Sequence, residues 1–256
     1  MRPSSPDPDT PPQVIPRPET ARPGGPAPWT DLAPAARRGL TVARVLDRLD
    51  RAGWTGPEPP PANLAVEVPD GAPPVDAFRQ SAVLVALFEE AGEARVLLTR
   101  RSSRLRSHRG EVSFPGGGTE PGEGPVAAAL REAHEEVGLD PAAVRPVGWL
   151  RPVLTFVSNA LVVPVVGVLD RPPSDLVPSP TEVDRIFDTA LADLTADRTY
   201  HEEWWSFPGR PGRGADGHGA YPIRFFQVAG ETVWGATGRM LYELLCVALG
   251  ADPTGI

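Results

Sequence analysis

Runs of apolar residues predict most of the regular structure of this chain. Strand-length runs, some of them alternating with polar positions, cover 81–88, 95–99, 111–114, 144–150, 161–169, 200–207 and 221–228. The polar turn between the first two runs contains a glycine, which predicts a hairpin. Helical periodicity covers about 29–51, 125–137 and 237–249. Strands mixed with a few helices predict an α/β fold in which a mixed β-sheet lies between helices (α/β/α).

Proline is unevenly distributed and divides the chain into three parts. Ten of the first 28 residues are proline, so we expect residues 1–28 to form a disordered Pro-rich tail. Residues 29–77 are expected to contain one N-terminal helix, opening at Trp29, and a Pro-rich linker. Residues 78–250 are expected to form the globular domain.

Charge and cysteine content narrow the function class. The net charge of −8 and the sequence pI near 5.1 disfavour a binder of nucleic acid or of an anionic membrane. The single cysteine, Cys246, permits no internal disulfide and is typical of a reducing compartment. With no apolar secretory segment and no apolar run of membrane-spanning length, we expect a soluble cytoplasmic protein. The sequence leaves a homodimer open.

Three carboxylates can share one face of the predicted helix over 125–137. Glu132, Glu135 and Glu136 are spaced by three and four residues, and like charges at that spacing repel each other. Beside a Gly-rich turn, such oxygen ligands suit Mg²⁺ or Mn²⁺. Arg131 is placed to hold one carboxylate while the others bind metal. A solvated acidic face is the alternative, and Glu135 with Glu136 alone would fit it.

The complete stretch from Gly117 to Leu139 resembles the Nudix box, in which Gly117, Glu123, Arg131 and the later carboxylates take the defined positions. Ala133 stands where that family usually has a larger aliphatic residue. The resemblance implies a Nudix fold and metal-dependent hydrolysis of a nucleoside diphosphate linked to another moiety. It also implies roles for four residues: Glu132 and Glu136 as principal metal ligands, Glu135 as a further ligand or the base, and the Gly116 carbonyl as an additional ligand.

The residues before this stretch carry the indication of substrate. Residues 97–117, with Leu-Leu-Thr at their start and Phe-Pro-Gly-Gly at their end, are similar to the signature of the coenzyme A pyrophosphatase branch. That similarity implies cleavage of coenzyme A or an acyl-CoA to 3′,5′-ADP and (acyl-)4′-phosphopantetheine. A local group of basic residues beside a metal cluster also suits a ligand with several phosphates. The predicted substrate-binding residues are Arg100, Arg101, Arg104, Arg106, His108 and Arg109.

Several alternatives remain at this stage. Any single arginine of the group is as well explained by a structural ion pair. The substrate is alternatively ADP-ribose, NADH or a similar dinucleotide. A non-catalytic nucleotide-binding Nudix module is a further alternative, which the intact carboxylates disfavour. Glu135, Glu111 and Glu182 compete for the role of general base.

Overall fold

A computed structural model describes residues 11–56, 73–105, 107–155, 158–207 and 219–251. Its helices are α1 (Pro34–Arg37), α2 (Val42–Arg51), α3 (Pro125–Val137), α4 (Leu191–Leu194) and α5 (Gly235–Leu249), with short 3₁₀ turns at Val75–Ala77 and Pro141–Ala143. Its strands are β1 (Arg22–Pro23), β2 (Arg79–Glu90), β3 (Glu93–Arg101), β4 (Val112–Ser113), β5 (Gly116–Gly118), β6 (Val144–Trp149), β7 (Val153–Thr155), β8 (Ala160–Leu169), β9 (Val183–Ala190), β10 (Tyr200–Ser206), β11 (Ala220–Val228) and β12 (Glu231–Val233).

Two sheets form the framework. The larger sheet has the order β4-β3-β2-β8-β6, with β5 also pairing with β2, β7 with β8 and β9 with β3. Strands β2 and β8 are parallel, with Leu84 opposite Val165, whereas the other pairs in this sheet are antiparallel. The smaller sheet, in the order β1-β10-β11-β12, is wholly antiparallel. The larger sheet is therefore mixed, as predicted.

Side-chain alternation along β2 explains the layers. Leu84 and Ala86 lie in one buried cluster together with α3. Val85 and Leu87 lie in a second cluster together with α2 and α5. Successive strand residues point to opposite faces, so the sheet has α3 on one side and α2 with α5 on the other. The predicted α/β/α arrangement is confirmed.

The N-terminal part of the chain contacts the smaller sheet. Within the described residues 11–28, β1 pairs with β10. The expected helix over 29–51 is split into α1 and α2, with Gly39 at a φ of +84° between them. Trp29 is buried, 5.4 Å from the ring of Tyr200. Because Trp29 and α2 share a core cluster with β2 and α5, the boundary expected at residue 78 does not separate two cores. Residues 1–10 and 57–72 lie outside the described residues.

None of the helices in the described ranges is both long enough and apolar enough to cross a membrane.

Candidate metal and phosphate site

Helix α3 presents its acidic residues because its other side is buried. It begins with Pro125, whose missing N–H costs nothing at a first helical position, and it ends at Gly138, which has a φ of +69°. Four apolar residues face the sheet, namely Ala128, Ala129, Ala133 and Val137. The small side chain at Ala133 is therefore a packing residue at the helix–sheet contact.

Glu136 is the buried carboxylate of the site. Its residue is 3% exposed, and one oxygen accepts a hydrogen bond of 3.1 Å from the backbone N–H of Gly116. The other oxygen is 3.5 Å from Nη1 of Arg101. Burial raises the pKa of Glu136 to about 7, against the opposing effects of Gly116 and Arg101. A buried acid of this kind favours a cation beside it.

Glu132 lies against the strand that carries Gly116. A β-carbon built on Gly117 would be 2.4 Å from Oε2 of Glu132, so only glycine leaves room for this carboxylate. Burial also raises the pKa of Glu132. Glycine at this position therefore places one face of β5 directly on the carboxylate.

Arg131 joins the acidic residues of the helix to the turn before it. Its Nε and Nη2 each donate to Glu123 at 2.9 Å, and Nη1 donates to Glu132 at 3.0 Å. Nη2 also donates to the carbonyl of Gly118 at 2.9 Å. The hydrogen bonds from Arg131 lower the pKa of Glu123. Arg131, predicted to hold one carboxylate of the site, thus has the contacts of a residue that positions carboxylates.

Glu135 differs from its two neighbours on the helix. Its side chain is 55% exposed, and its oxygen lies 3.2 Å from Nη1 of Arg131. Glu182, on the connection that leads into β9, is close enough to raise the pKa of both Glu132 and Glu136. Its backbone carbonyl accepts a hydrogen bond of 2.8 Å from the N–H of Ser102. Glu182 thus lies near both Glu132 and Glu136, and Glu135 lies near Glu132.

The donor set fits a divalent metal that is completed by other ligands. In the described part of the chain, no three His, Cys, Asp or Glu side chains are gathered into a ready metal cluster. Mg²⁺ commonly uses only one or two protein carboxylates and takes its remaining ligands from water and substrate phosphates. The buried Glu136 and half-buried Glu132 supply such a pair, with Gly116 held beside Glu136.

Arg100 does not belong to the candidate site, contrary to expectation. Its residue is 5% exposed, and its Nη1 lies 3.0 and 2.9 Å from the two oxygens of Glu231. Nη2 donates to the carbonyl of Pro11. The pairing of β3 with β9 shifts register between Arg100 and Arg101, and a shift of this kind re-aims the side chains beside it. Arg100 therefore makes a buried structural contact, and Arg101 is the residue that reaches Glu136.

The remaining predicted basic residues are distributed unevenly. Arg104 and Arg109 are exposed, and Arg104 donates to Ser102 and to the carbonyl of Pro180. His108 lies 2.9 Å from Glu111, whose hydrogen bond raises the pKa of the histidine. Arg106 lies outside the described residues. Arg101 thus lies beside Glu136 and close enough to His108 to lower the pKa of the histidine, while Arg104 and Arg109 are exposed.

Sequence reasoning missed Arg79 at this site. Its guanidinium lies within 3.6 Å of a β-carbon built on Gly118, and its charge lowers the pKa of His108. The side chain is exposed. Arg79 stands outside the basic group at 100–109, so only the pairing of Ser81 with Gly118 brings it to the turn.

Comparison with known proteins identifies the family. The NUDIX domain model matches residues 78–205. Nudix hydrolase 22, chloroplastic, from Arabidopsis thaliana is 36% identical over 187 residues, which cover 70% of this chain and 58% of that protein. The protein named Uncharacterized Nudix hydrolase NudL from Photorhabdus laumondii is 34% identical over 187 residues, which cover 73% of this chain and 88% of that one. The chain belongs to the Nudix hydrolase family.

The solved structures and the lengths of the plant relatives add two facts. A Caenorhabditis elegans Ap4A hydrolase binary complex aligns with a TM-score of 0.38 and 24% identity over 45% of this chain and 82% of that chain. The chain spans about six-tenths of the length of Nudix hydrolases 22 and 15 of Arabidopsis thaliana. Nudix hydrolases generally use divalent metal ions.

Proposed function

We propose that this chain is a Mg²⁺- or Mn²⁺-dependent hydrolase that cleaves the diphosphate bond of coenzyme A or an acyl-CoA. The products are 3′,5′-ADP and (acyl-)4′-phosphopantetheine. The observation that carries the proposal is the pair of carboxylates, Glu132 and Glu136, beneath the Gly116–Gly118 strand and next to Arg101. Two carboxylates that can bind a metal ion, next to an arginine that can bind a phosphate oxygen, suit a metal-bound diphosphate.

Different residues have different roles in the proposed reaction. Glu132 and Glu136 would hold the metal, with the Gly116 carbonyl as a further ligand, and Arg131 keeps Glu132 in place. When bound, the metal neutralises charge on the diphosphate and polarises its phosphorus–oxygen bonds. Arg101 binds a phosphate oxygen close to Glu136. A water then attacks phosphorus, and the bond from phosphorus to the bridging oxygen breaks.

Glu182 is the candidate that we favour as general base. It lies near Glu132 and Glu136, and its side chain is neither buried nor fully exposed. Glu135 is tied to Arg131 and Glu111 to His108, so both have competing partners. Glu182 accepts the proton of the attacking water while the two metal-binding carboxylates stay ionised.

The exposed arginines support coenzyme A over a simpler diphosphate. Arg104 and Arg109 lie on the same loop as Arg101 but face solvent, where they can reach a phosphate beyond the scissile pair. The 3′-phosphate of coenzyme A is such a group. Guanidinium groups bind phosphate through paired hydrogen bonds.

A hydrolysis panel tests the proposal. The substrates are coenzyme A, 3′-dephospho-CoA, ADP-ribose and NADH, each with Mg²⁺ and with Mn²⁺, and Glu136→Gln is the inactive control. The expected result is that coenzyme A has the highest kcat/KM and loses its advantage when the 3′-phosphate is absent. A higher kcat/KM for ADP-ribose or NADH would support a dinucleotide pyrophosphatase instead. Nucleotide binding without cleavage would support a non-catalytic module.

The cellular location follows as part of the same proposal. The single cysteine and the lack of a membrane-spanning helix in the described ranges fit a cytoplasmic enzyme. The two plant relatives are named chloroplastic and mitochondrial, so fractionation of cells that express the full chain is the direct test.

A further inference from the structure

Two buried arginines face each other on neighbouring strands. Arg100 of β3 is paired in register with Arg185 of β9, and both side chains are less than 10% exposed. Like charges repel strongly where water is excluded. Glu231 lies between them: both of its oxygens contact Nη1 of Arg100, and one lies 3.1 Å from Nη1 of Arg185. A residue of the smaller sheet thus holds together two strands of the larger sheet.

Glu231 contacts β3 at Arg100, one residue before the strand ends and the arginine-containing loop begins. The pairing of β3 with β9 shifts register between Arg100 and Arg101, and a shift of this kind re-aims the side chains beside it. Beyond it, the N–H of Ser102 donates to Glu182 and that of Ser103 donates to Asp184. The direction of Arg101 toward Glu136 therefore depends on the anchorage of Arg100.

The N-terminal strap, defined as residues 11–23, contacts both Arg100 and the neighbour of Glu231. The side-chain amide of Gln13 makes two hydrogen bonds with the backbone of Thr232, the neighbour of Glu231: one of 3.0 Å to its carbonyl and one of 2.7 Å from its N–H. The carbonyl of Pro11 accepts from Arg100. Because β1 pairs with β10 and β12 lies at the other end of the sheet, the strap runs from one edge of the smaller sheet to the other.

We propose that Glu231 is a positioning residue for Arg101 and for the two residues that follow it, Ser102 and Ser103, and that the N-terminal strap keeps Glu231 in place. This inference rests on the proposed function, since Arg101 is taken to bind a phosphate of the substrate. The strap fixes Thr232, Thr232 fixes the adjacent Glu231, and Glu231 fixes the strand end on which Arg101 stands. Loss of the strap contact then weakens phosphate binding without removing any residue that contacts the substrate.

Kinetics of full-length variants test the inference. Gln13→Ala removes the two hydrogen bonds to Thr232, and Glu231→Gln removes the charge between the arginines. We expect Gln13→Ala to raise KM for coenzyme A and for ADP-ribose by about three- to tenfold, with kcat changing much less. Glu231→Gln should raise KM by at least as much, and Glu231→Asp should restore part of the loss.

The matched control is Gln227→Ala. Gln227 also accepts a hydrogen bond from Thr232, but from its hydroxyl at 3.0 Å and on the exposed side of β11. This variant should leave KM unchanged. An equal rise in KM for Gln227→Ala and Gln13→Ala would overturn the role of the strap. An unchanged KM in Gln13→Ala and Glu231→Gln, together with a lower unfolding temperature, would make the contacts purely structural and overturn the inference.

Failure of the proposed function gives a different result. If the wild type cleaves ADP-ribose but prefers it to coenzyme A, the substrate assignment fails while the comparison of variants stands. If the wild type cleaves neither, the Kd of adenosine 5′-(α,β-methylene)diphosphate in MgCl₂ gives the same comparison: a weaker Kd in Gln13→Ala supports the inference, and an unchanged Kd overturns it. If Glu231→Gln does not fold, Gln13→Ala decides the question.

Discussion

The carboxylate of Glu132 occupies the space that a side chain at Gly117 would need, since a β-carbon there would lie 2.4 Å from Oε2. The same carboxylate is held from the other side by Arg131. A methyl group at Gly117 must therefore push Glu132 away from its present position. The present position of Glu132, one of the two proposed metal ligands, therefore depends on glycine at 117.

Gly117→Ala should lower activity while the fold remains intact. Displacing a ligand by about 1 Å costs on the order of 100-fold in rate, so we expect kcat/KM to fall by about that factor with only a small change in unfolding temperature. Gly118→Ala is the matched control, because its β-carbon would come no closer than 3.6 Å to any atom. Equal losses in the two variants would show that β5 itself had been disturbed.

Glu136→Gln should be far more damaging than Glu135→Gln. Glu136 is buried and bonded to Gly116, whereas Glu135 is exposed on the same helix. We expect the first change to lower kcat by roughly 100-fold or more, beyond what most supporting residues around a metal cost, and the second to have a much smaller effect. Steady-state kinetics at saturating Mg²⁺ measures both. A larger loss in Glu135→Gln would move the metal to the exposed side of α3.

The raised pKa of Glu136 predicts a pH dependence of stability in metal-free protein. Its pKa is about 7 in the folded state and 4.5 in the unfolded chain, so the folded state binds the extra proton between those values. The free energy of unfolding attributable to this group therefore falls as pH rises from 4.5 to 7 and is constant outside that window. Urea unfolding of the wild type and of Glu136→Gln, both in EDTA, should differ in slope there. Parallel pH profiles would contradict the prediction.

Substitution of Arg100 should lower stability, whereas substitution of its neighbour Arg101 should raise KM. Arg100→Met leaves Glu231 with a buried and partly uncompensated charge, so we expect a loss of about 3–5 kcal/mol in the free energy of unfolding. Arg101→Gln should instead leave stability nearly unchanged and raise KM, because its side chain is partly exposed beside Glu136. Denaturant unfolding and kinetics on both variants make the comparison. An unchanged KM in Arg101→Gln would remove Arg101 from the phosphate site.

Arg79→Gln should weaken binding of the diphosphate irrespective of the group attached to it. The guanidinium lies beside Gly118, the residue that follows Gly117 on β5, rather than on the loop that follows Arg101. We expect KM to rise by a similar factor of about five to tenfold for coenzyme A, 3′-dephospho-CoA and ADP-ribose, as for the loss of one hydrogen bond of about 1 kcal/mol. Arg145→Gln, an exposed arginine on β6, is the control. A loss confined to coenzyme A would place Arg79 at the 3′-phosphate instead.

The sequence contained strong local signals for the centre of the site. Helix α3 was predicted with its observed limits because proline and glycine mark its two ends. The hairpin of β2 and β3 likewise followed from two apolar runs around a glycine turn. The helix and the hairpin both depend on interactions between residues close in sequence, and such local patterns can be recognised without a structure.

Strand β9 and the role of Arg100 were not predicted because their partners are distant in sequence. Asp188 and Arg185 interrupt the apolar pattern of β9, yet both are buried against opposite charges: Arg95 and Glu231. The partner of Arg100 likewise lies 131 residues away. When the counter-charge of a buried charged residue lies on a distant strand, the sequence alone does not indicate that the residue is buried.

The hydrogen bonds between Gln13 and Thr232 also cover part of a sheet edge. Strand β12 is an edge strand of the smaller sheet. An exposed edge strand is a template on which another chain can add a strand. At Thr232 both the N–H and the carbonyl are already engaged by a side chain of the same molecule. Gln13 therefore occupies the backbone groups of Thr232 through which a second chain would add a strand to this sheet edge.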